Sequence, residues 1–482
     1  MIAKRWIGIA LLTALLGCLG FGATGSAGSA AWIQRAETLA AAKSYAAAVE
    51  AYLAAVPWNP RDPLPYLRCG RIYLKQRRFL LADKALWHAY LLDTRNADTL
   101  VALGDLAAAQ KMNELAIPWY RQASLSVANP ARLKRAEINI ALGKALLAES
   151  DFPNAMEAFR AALTADTEQR EAHYYSGLLL ADQEPEVALS HLRAAIGSEE
   201  DDLAAKARMM IAELAGLGKS QDAAERAGLL GLAYMRQGAW TLACAQLAQT
   251  AALSPDHSEV QAYWGYALYQ LEEYSAAEQS LKRAMQLDAQ NAQPYHFMGM
   301  LYRRLGAPHA ALEMLGKAYE LDWRSPAIAA DIARAYVEAG AYAEAESWFE
   351  EVVELAPDNA SYILLQAAFH IDHAYHVRDR GIPAAERAIA LQPQQAAAHD
   401  LLGWGLFLTG DYIQAEETLR RALAINPELA SAHYHLAELY ARQGKIQAAR
   451  SAYQRAVDLD ETGWIRQRAQ QELERLKAGQ GS

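Results

Sequence analysis

The sequence predicts an all-α fold in which pairs of helices stack side by side as an α-solenoid. Alanine is abundant in helix-forming contexts and runs of valine, isoleucine and threonine are scarce, which favours helices over strands. Two amphipathic segments joined by a short turn recur along the chain with a period of about 34 residues. Each segment has one apolar stripe, which has to be buried against a neighbouring helix.

The clearest copy of this unit spans residues 396–429, with its turn at residues 409–411. The small residues Gly403 and Ala415 are expected where the two helices cross, because larger side chains would hold the backbones apart. Leu419 is expected to face outward from the pair. A single unit therefore cannot close its own core and needs a neighbour on each side.

The pattern of glycine, alanine, leucine or aromatic, and proline positions resembles the tetratricopeptide repeat. The resemblance covers residues 29–463 as about twelve repeats, and it implies a right-handed superhelix that binds protein segments, with no room for a catalytic domain. The predicted division is a signal or anchor (1–28), a first array of about five repeats (29–202), a linker helix or half-repeat (203–223), a second array of about seven repeats (224–463, degenerate at 360–395), and a capping helix with a tail (464–482).

The first residues predict export. Lys4 and Arg5 precede an apolar run over residues 6–16 and a string of small residues, which is the organisation of an export signal. Cys18 ends a Leu-Leu-Gly-Cys sequence that resembles a bacterial lipobox and is the candidate lipidation site. A lipidated signal, a cleaved signal and an uncleaved anchor remain open. We expect an exported protein held to the membrane on the extracytoplasmic side, with a cytoplasmic adaptor as the alternative.

Composition excludes several classes of function. The net charge of -10 argues against nucleic acid as a partner, because binding to phosphates requires a basic surface. Three cysteines are too few for a disulfide framework or a zinc ribbon. The sequence has no phosphate-binding glycine loop and no nucleophile motif, so no cofactor and no enzymatic activity are expected.

The resemblance implies that the first helix of each repeat lines a concave groove that holds an extended or acidic protein segment. Aromatic residues and arginine supply most of the binding energy at interfaces, and arginine pairs with carboxylates. The alternative is that these arginines pair with Glu259, Glu338 and similar neighbours, and that Trp404 and Phe407 pack against an adjacent helix. The candidate partner-binding residues are Arg236, Tyr266, Tyr269, Gln270, His296, Met300, Arg303, Arg304, Arg334, Asp400, Trp404, Phe407, Tyr434 and Arg442.

One histidine cluster is the alternative site. His370, His373 and His376 are spaced by three residues, which places imidazoles near one another on a helix and suits a divalent metal ion. The cluster lies in the degenerate repeat and has no second ligand motif, so core and loop histidines are the competing interpretation. The main prediction is therefore a non-enzymatic scaffold of the cell envelope, and a metal-binding or ligand-binding protein is the alternative.

Overall fold

The structure, a computed structural model, describes residues 24–126, 132–198, 200–217, 222–460 and 463–478. Helices occupy most of these ranges and none of them contains a strand, so the predicted all-α class is confirmed. Within them, no helix has the length and apolar character needed to span a bilayer. The apolar run at residues 6–16 and Cys18 lie outside the described residues.

The chain forms two compact units, one of Met1–Ala145 with Asn426–Ser482 and the other of Leu146–Ile425. The first unit contains α1 (Thr24–Ala41), α2 (Tyr45–Ala55), α3 (Leu64–Lys75), α4 (Phe79–Leu92), α5 (Ala97–Ala109), α6 (Asn113–Ser126), most of α7 (Arg132–Ala148), α24 (Ala430–Arg442), α25 (Ile446–Leu459) and α26 (Trp464–Ala478). A short 3₁₀ turn, Val56–Trp58, follows α2.

The second unit continues the same pattern of paired helices. It contains α8 (Phe152–Ala165), α9 (Arg170–Leu180), α10 (Pro185–Ile196), α11 (Asp202–Leu217), α12 (Ala223–Arg236), α13 (Trp240–Leu253), α14 (Ser258–Gln270), α15 (Tyr274–Leu287), α16 (Ala292–Arg304), α17 (Pro308–Leu321), α18 (Pro326–Glu338), α19 (Tyr342–Leu355), α20 (Ala360–Asp372), α21 (Ile382–Leu391), α22 (Ala396–Thr409) and α23 (Tyr412–Ile425). The unpaired helix expected in the linker corresponds to α11. The predicted division into two arrays stays a prediction.

The turn inside most pairs uses a left-handed residue, and the shorter turn between α9 and α10 does not. After α16, Gly306 has φ +70°, and the N–H of Ala307 donates to the carbonyl of Tyr302 at 2.9 Å. This geometry satisfies carbonyls that the end of a helix leaves without partners. Glycine adopts it without steric cost. In the turns of two other pairs, the left-handed residue is not glycine. It is Arg77 after α3 and Glu272 after α14, with φ +52° and +65°.

Helices within a pair approach closely because a glycine on the first helix receives a large side chain of the second. A Cβ atom at Gly403 would lie 2.6 Å from Cγ of Leu419, whose side chain is fully buried. The expectation that Leu419 faces outward is therefore wrong, because it fills the space that the glycine leaves inside its own pair. The same contact joins Gly70 to Leu86, Gly104 to Tyr120, Gly177 to Leu192, Gly231 to Leu247, Gly265 to Leu281, and Gly299 to Leu315.

In the first unit, the earliest repeats are held to the last ones. The guanidinium of Arg466 in α26 is buried and donates to the carbonyl of Gln76 at the end of α3. Arg455 in α25 donates to the carbonyls of Ala42 and Lys43, each at 3.1 Å. Hydrogen bonds from a buried charged group to main-chain carbonyls are among the stronger ones in proteins. Nothing in the repeat pattern predicts this contact.

Replacing Gly403 with alanine should destabilise the protein. The added methyl group meets Leu419 inside a packed core, and overpacking of this kind costs about 1–3 kcal/mol. Gly316→Ala in α17 is the matched control, because a Cβ there meets nothing within 4 Å and should stabilise the helix by about 0.5–1 kcal/mol. Thermal unfolding of both variants measures the difference. Equal effects would contradict this packing, and in a Leu419→Ala background the cost of Gly403→Ala should largely disappear.

Candidate functional site

All of the candidate partner-binding residues lie on the first helices of their pairs. The second unit holds most of them: Arg236 on α12, Tyr266, Tyr269 and Gln270 on α14, His296, Met300, Arg303 and Arg304 on α16, Arg334 on α18, and Asp400, Trp404 and Phe407 on α22. The first unit holds Tyr434 and Arg442 on α24. That these residues bind a partner stays a prediction.

Half-buried aromatic rings join α14 to α16. The ring of Tyr266 stacks on Phe297 with centroids 4.5 Å apart, and on Tyr269 with centroids 5.9 Å apart. The amide of Gln270 donates to the hydroxyl of Tyr266 at 2.7 Å, which fixes the position of that hydroxyl. Rings held in this way present a rigid surface to a ligand. These side chains therefore lose little conformational entropy when a ligand binds.

A buried carboxylate organises the charges on α16 and α18. Asp331 is 7% exposed; its Oδ2 lies 2.8 Å from Nε2 of His296, and its Oδ1 lies 2.5 Å from Nη1 of Arg303. Arg334 approaches the same carboxylate at 3.4 Å, and Nη2 of Arg303 pairs with Glu338 at 2.7 Å. One carboxylate therefore holds three cationic or titratable side chains from two successive first helices.

The surroundings of Asp331 determine its charge. Burial by itself raises the pKa of this carboxyl group. The hydrogen bond from His296 and the charges of Arg303 and Arg334 outweigh burial and bring the pKa below its ordinary value of 3.8. Asp331 is therefore an anion throughout the neutral range, and it neutralises much of the positive charge that the arginines bring to this surface.

The four arginines of the predicted basic cluster have carboxylate neighbours within the chain, so the alternative interpretation describes them better. Arg236 forms a bidentate ion pair with Glu213: its Nε and Nη2 atoms donate to the two carboxylate oxygens at 2.7 and 2.6 Å. Arg304 lies 3.5 Å from Glu272. The side chain of Arg303 is only 16% exposed, whereas that of Arg304 is 58% exposed. Arg304, and the half-exposed Arg236 and Arg334, are therefore the cations that a partner could reach.

The remaining candidates divide between core and surface. Trp404 and Phe407 stack with centroids 4.9 Å apart, and Trp404 also packs against the core formed by α20 and α21. This is the packing role that the alternative interpretation assigned to them. Asp400 and Tyr434 are buried, Met300 is half-buried, and Arg442 is exposed.

The three histidines do not share a helix, so the geometry assumed for a metal site is wrong. α20 ends at Asp372, and His376 has φ +50° before the π-helical turn Val377–Gly381. Each imidazole has a partner of its own. Nδ1 of His370 lies 3.0 Å from the carbonyl of Tyr375, Nδ1 of His373 lies 3.3 Å from the hydroxyl of Tyr342, and Nδ1 of His376 lies 3.0 Å from Glu346.

His370 is fully buried, and burial lowers its pKa, which keeps the imidazole neutral. Across the described part of the chain, no group of three or more histidine, cysteine, aspartate or glutamate side chains could hold a metal ion. His370 therefore contacts the irregular turn between α20 and α21, and His373 and His376 hold this segment against α19.

Sequence reasoning did not identify Asp331. One signal could have found it: Asp331 occupies the place that Phe297 and Tyr263 occupy 34 and 68 residues earlier. A carboxylate at a half-buried aromatic position needs a cationic partner, because burying an unpaired charge is costly. Arg303, on the preceding first helix, is within reach of that position.

Family models described as tetratricopeptide repeat match the chain, and this confirms the resemblance predicted from the spacing. One model matches residues 302–369, and a second matches residues 140–184, 229–292 and 402–463. A stretch of 196 residues is 26% identical to the human (Homo sapiens) protein O-mannosyl-transferase TMTC1. It covers 39% of this chain and only 22% of that protein.

Solved structures with similar folds show low sequence identity. The yeast Tom70 structure is 16% identical, with 94% of this chain and 96% of that chain covered and a TM-score of 0.42. The Cut9–Hcn1 hetero-tetramer is 14% identical, with coverages of 92% and 95% and a TM-score of 0.40. MamA from Desulfovibrio magneticus RS-1 is 22% identical, with coverages of 36% and 96% and a TM-score of 0.32.

Replacing Asp331 with asparagine should lower the melting temperature at neutral pH, because it removes the shorter of the two ion pairs of Arg303 and leaves that largely buried guanidinium with Glu338 alone. A carboxylate whose pKa is lowered on folding adds stability above its unfolded pKa, and that stability is lost as pH falls through the folded value. The difference between wild type and variant should therefore shrink below about pH 3.8. Asp256→Asn, at an exposed pair with Arg283, is the control and should change little. A difference that does not depend on pH would contradict this account.

Proposed function

The chain belongs to the tetratricopeptide repeat family, and from this premise we propose that it is a non-enzymatic scaffold that binds protein partners along the first helices of its repeats. The observation that carries the proposal is the aromatic stack of Tyr269, Tyr266 and Phe297 beside the charged network centred on Asp331. Both are held by contacts between successive first helices, so the surface is formed before a partner arrives. A preformed surface reduces the entropy lost on binding.

The chemistry of this surface favours an extended segment that carries both apolar and acidic side chains. The rings offer flat area for apolar side chains, and Arg304 and Arg334 offer exposed guanidinium groups for carboxylates. The acids already present offset much of the positive charge. We therefore expect affinity to come mainly from the rings, and the arginines to set the register of the bound segment.

We further propose that the scaffold works in the cell envelope, with its N-terminus attached to the membrane. The support is the order of residues at the start of the chain, with Lys4 and Arg5, the apolar run 6–16, small residues and Cys18. Attachment at one end leaves the repeats free to collect partners beside the membrane. The alternative, a cytoplasmic adaptor, would present the same binding surface in a different compartment.

Charge reversal at Arg304 should reduce partner capture without unfolding the protein. Its side chain is 58% exposed and lies outside the Asp331 network, so Arg304→Glu should leave the melting temperature close to that of wild type. Crosslinking pull-downs from native membranes, with the full chain as bait, should lose the bands that wild type captures. Arg283→Glu is the matched control, because it makes the same charge change at an exposed ion pair on a second helix and should keep those bands. Equal capture by all three proteins would exclude this surface as the binding site. Arg303 is unsuitable as a probe because it supports the Asp331 network.

Cys18→Ser separates the possible attachments. A lipidated protein should stay unprocessed or leave the membrane fraction in this variant, because the acyl chains provide its attachment. A cleaved secretory signal would give the same soluble mature protein with or without the change. An uncleaved anchor would stay in the membrane with no change in mass. Recovery of the wild-type protein from the cytoplasm would exclude the envelope proposal and leave the adaptor.

A further inference from the structure

We infer that the outer faces of α4 and α6 form a second membrane contact, which inserts into the interfacial region of a lipid bilayer. This α4–α6 apolar face comprises Leu80, Trp87 and Leu91 on α4 and Leu115 and Leu125 on α6. The inference extends the proposed location in the envelope. It concerns residues inside the repeats rather than the N-terminal attachment.

The side chains of this face are open to solvent. Leu80, Trp87 and Leu91 are 69%, 40% and 73% exposed, and their spacing of seven and four residues puts them in one row along α4. Leu115 and Leu125 are 58% and 88% exposed on α6. Single exposed leucines are common on soluble proteins, but several exposed apolar side chains on two helices that contact each other indicate an interaction surface.

Aromatic contacts join the two helices beneath this face. The ring of Trp87 meets the ring of Trp119 edge-on with centroids 6.0 Å apart, and Tyr90 contacts both with centroids 5.4 Å away. The two indoles are therefore held in fixed positions on α4 and α6. Tryptophan and tyrosine are the side chains enriched at the boundary between lipid and water, because an apolar ring carries one polar group.

Other repeats show that the fold does not require apolar residues here. The buried alanines Ala82, Ala155, Ala277 and Ala415 mark equivalent positions of the second helices. In that register, the place of Trp87 is taken by Arg160, Lys282 and Arg420, all of them exposed. The place of Leu91 is taken by the exposed Thr164 and Gln286. Since charged and polar residues serve equally well elsewhere, the apolar row on α4 needs a reason other than packing.

The charge of these repeats fits an anionic lipid surface. Residues 24–126 contain 12 lysines and arginines against 8 aspartates and glutamates, whereas residues 127–482 contain 32 against 48. The first repeats are therefore basic in an acidic protein. Lys84 lies in the row on α4, and Arg121 lies on α6 between Leu115 and Leu125 in sequence. Both are exposed. Such cations attract anionic headgroups while their aliphatic stems lie along the apolar surface.

The position of the face in the chain favours lipid as the occupant. Residues 6–16 carry the expected membrane attachment, and α1 begins at Thr24, so only a short connection separates the two. A tether of that length keeps the first repeats close to the bilayer. The resulting high effective concentration strengthens the binding of a weak apolar contact to lipid. An interface that combines leucine, tryptophan and basic residues is also the composition of surface-bound helices.

The test uses the full chain with anionic vesicles whose acyl chains carry bromine, which quenches tryptophan fluorescence on contact. Trp6→Phe reports the N-terminal attachment, and Trp87→Phe with Trp119→Phe reports the α4–α6 apolar face. Trp323→Phe is the matched control, since this residue is 56% exposed in the other unit. We expect the double variant to remove most of the quenching that persists in the Trp6→Phe protein, and Trp323→Phe to remove none of it.

Unchanged quenching in the Trp87 and Trp119 variant would overturn this inference, and unchanged quenching in Trp6→Phe would overturn only the uncleaved anchor. A second pair of changes, Trp87→Lys with Leu91→Gln, copies the residues of the repeat at Lys282 and should reduce quenching by the same amount in a protein that still unfolds cooperatively. Ile413→Ser, which removes an exposed apolar residue at the register of Leu80, should have no effect. If the wild-type protein is a dimer without lipid and Trp87→Lys with Leu91→Gln makes it a monomer, the face binds a second copy of the chain and lipid is excluded.

Discussion

The packing of the repeats depends on the close approach of two helices at a small residue. Where the first helix carries glycine, a leucine or tyrosine of the second helix fills the space that a Cβ atom would take. Where it carries alanine, as at Ala333 and Ala437, the large partners are Phe349 and Tyr453, and all four side chains are buried. The interior is packed densely enough that one methyl group matters. This contact sets the distance between helices within a pair, and therefore the spacing at which successive first helices present their side chains.

The candidate site follows from that spacing. Successive first helices carry equivalent positions about one repeat apart, so a long side chain on one can reach its counterpart on the next. Tyr266 reaches Phe297 in this way, and Arg303 and His296 reach Asp331. The contacts that create a surface for a partner are thus also contacts between repeats. A change at Asp331 or Arg303 therefore affects folding and binding together, whereas Arg304 lies outside this shared role.

Much of the fold could be predicted from the sequence, because the repeat is encoded locally. The helices, their pairing and the turn at Gly410 each follow from spacing and from glycine in a left-handed turn. The direction of Leu419 was predicted incorrectly, since periodicity identifies an apolar side chain but not which neighbour it meets. The histidine cluster failed for a related reason. The helical spacing of His370 and His376 was assumed through a segment where the chain turns left-handed.

The site was harder to predict because its charges depend on pairs far apart in sequence. The sequence identified the arginines as candidates. The role of Asp331 became clear only from the structure, where it pairs with Arg303, 28 residues earlier in the chain. The contact of Arg466 with Gln76 is more distant still, and no repeat pattern contains information about it. Local rules therefore predict the repeated framework well. They predict poorly the side chains that connect one repeat to another.

That last contact changes how the chain can fold. An array whose repeats touch only their neighbours can nucleate anywhere and propagate along its length. Here Arg466 and Arg455 join α1–α3 to helices that follow more than 300 residues later, so the first unit contains contacts of very high sequence separation. Loop closure of this kind is entropically costly and slows folding. The repeats synthesised first must wait for the last residues of the chain before their final partners exist, so during synthesis their packing is completed late.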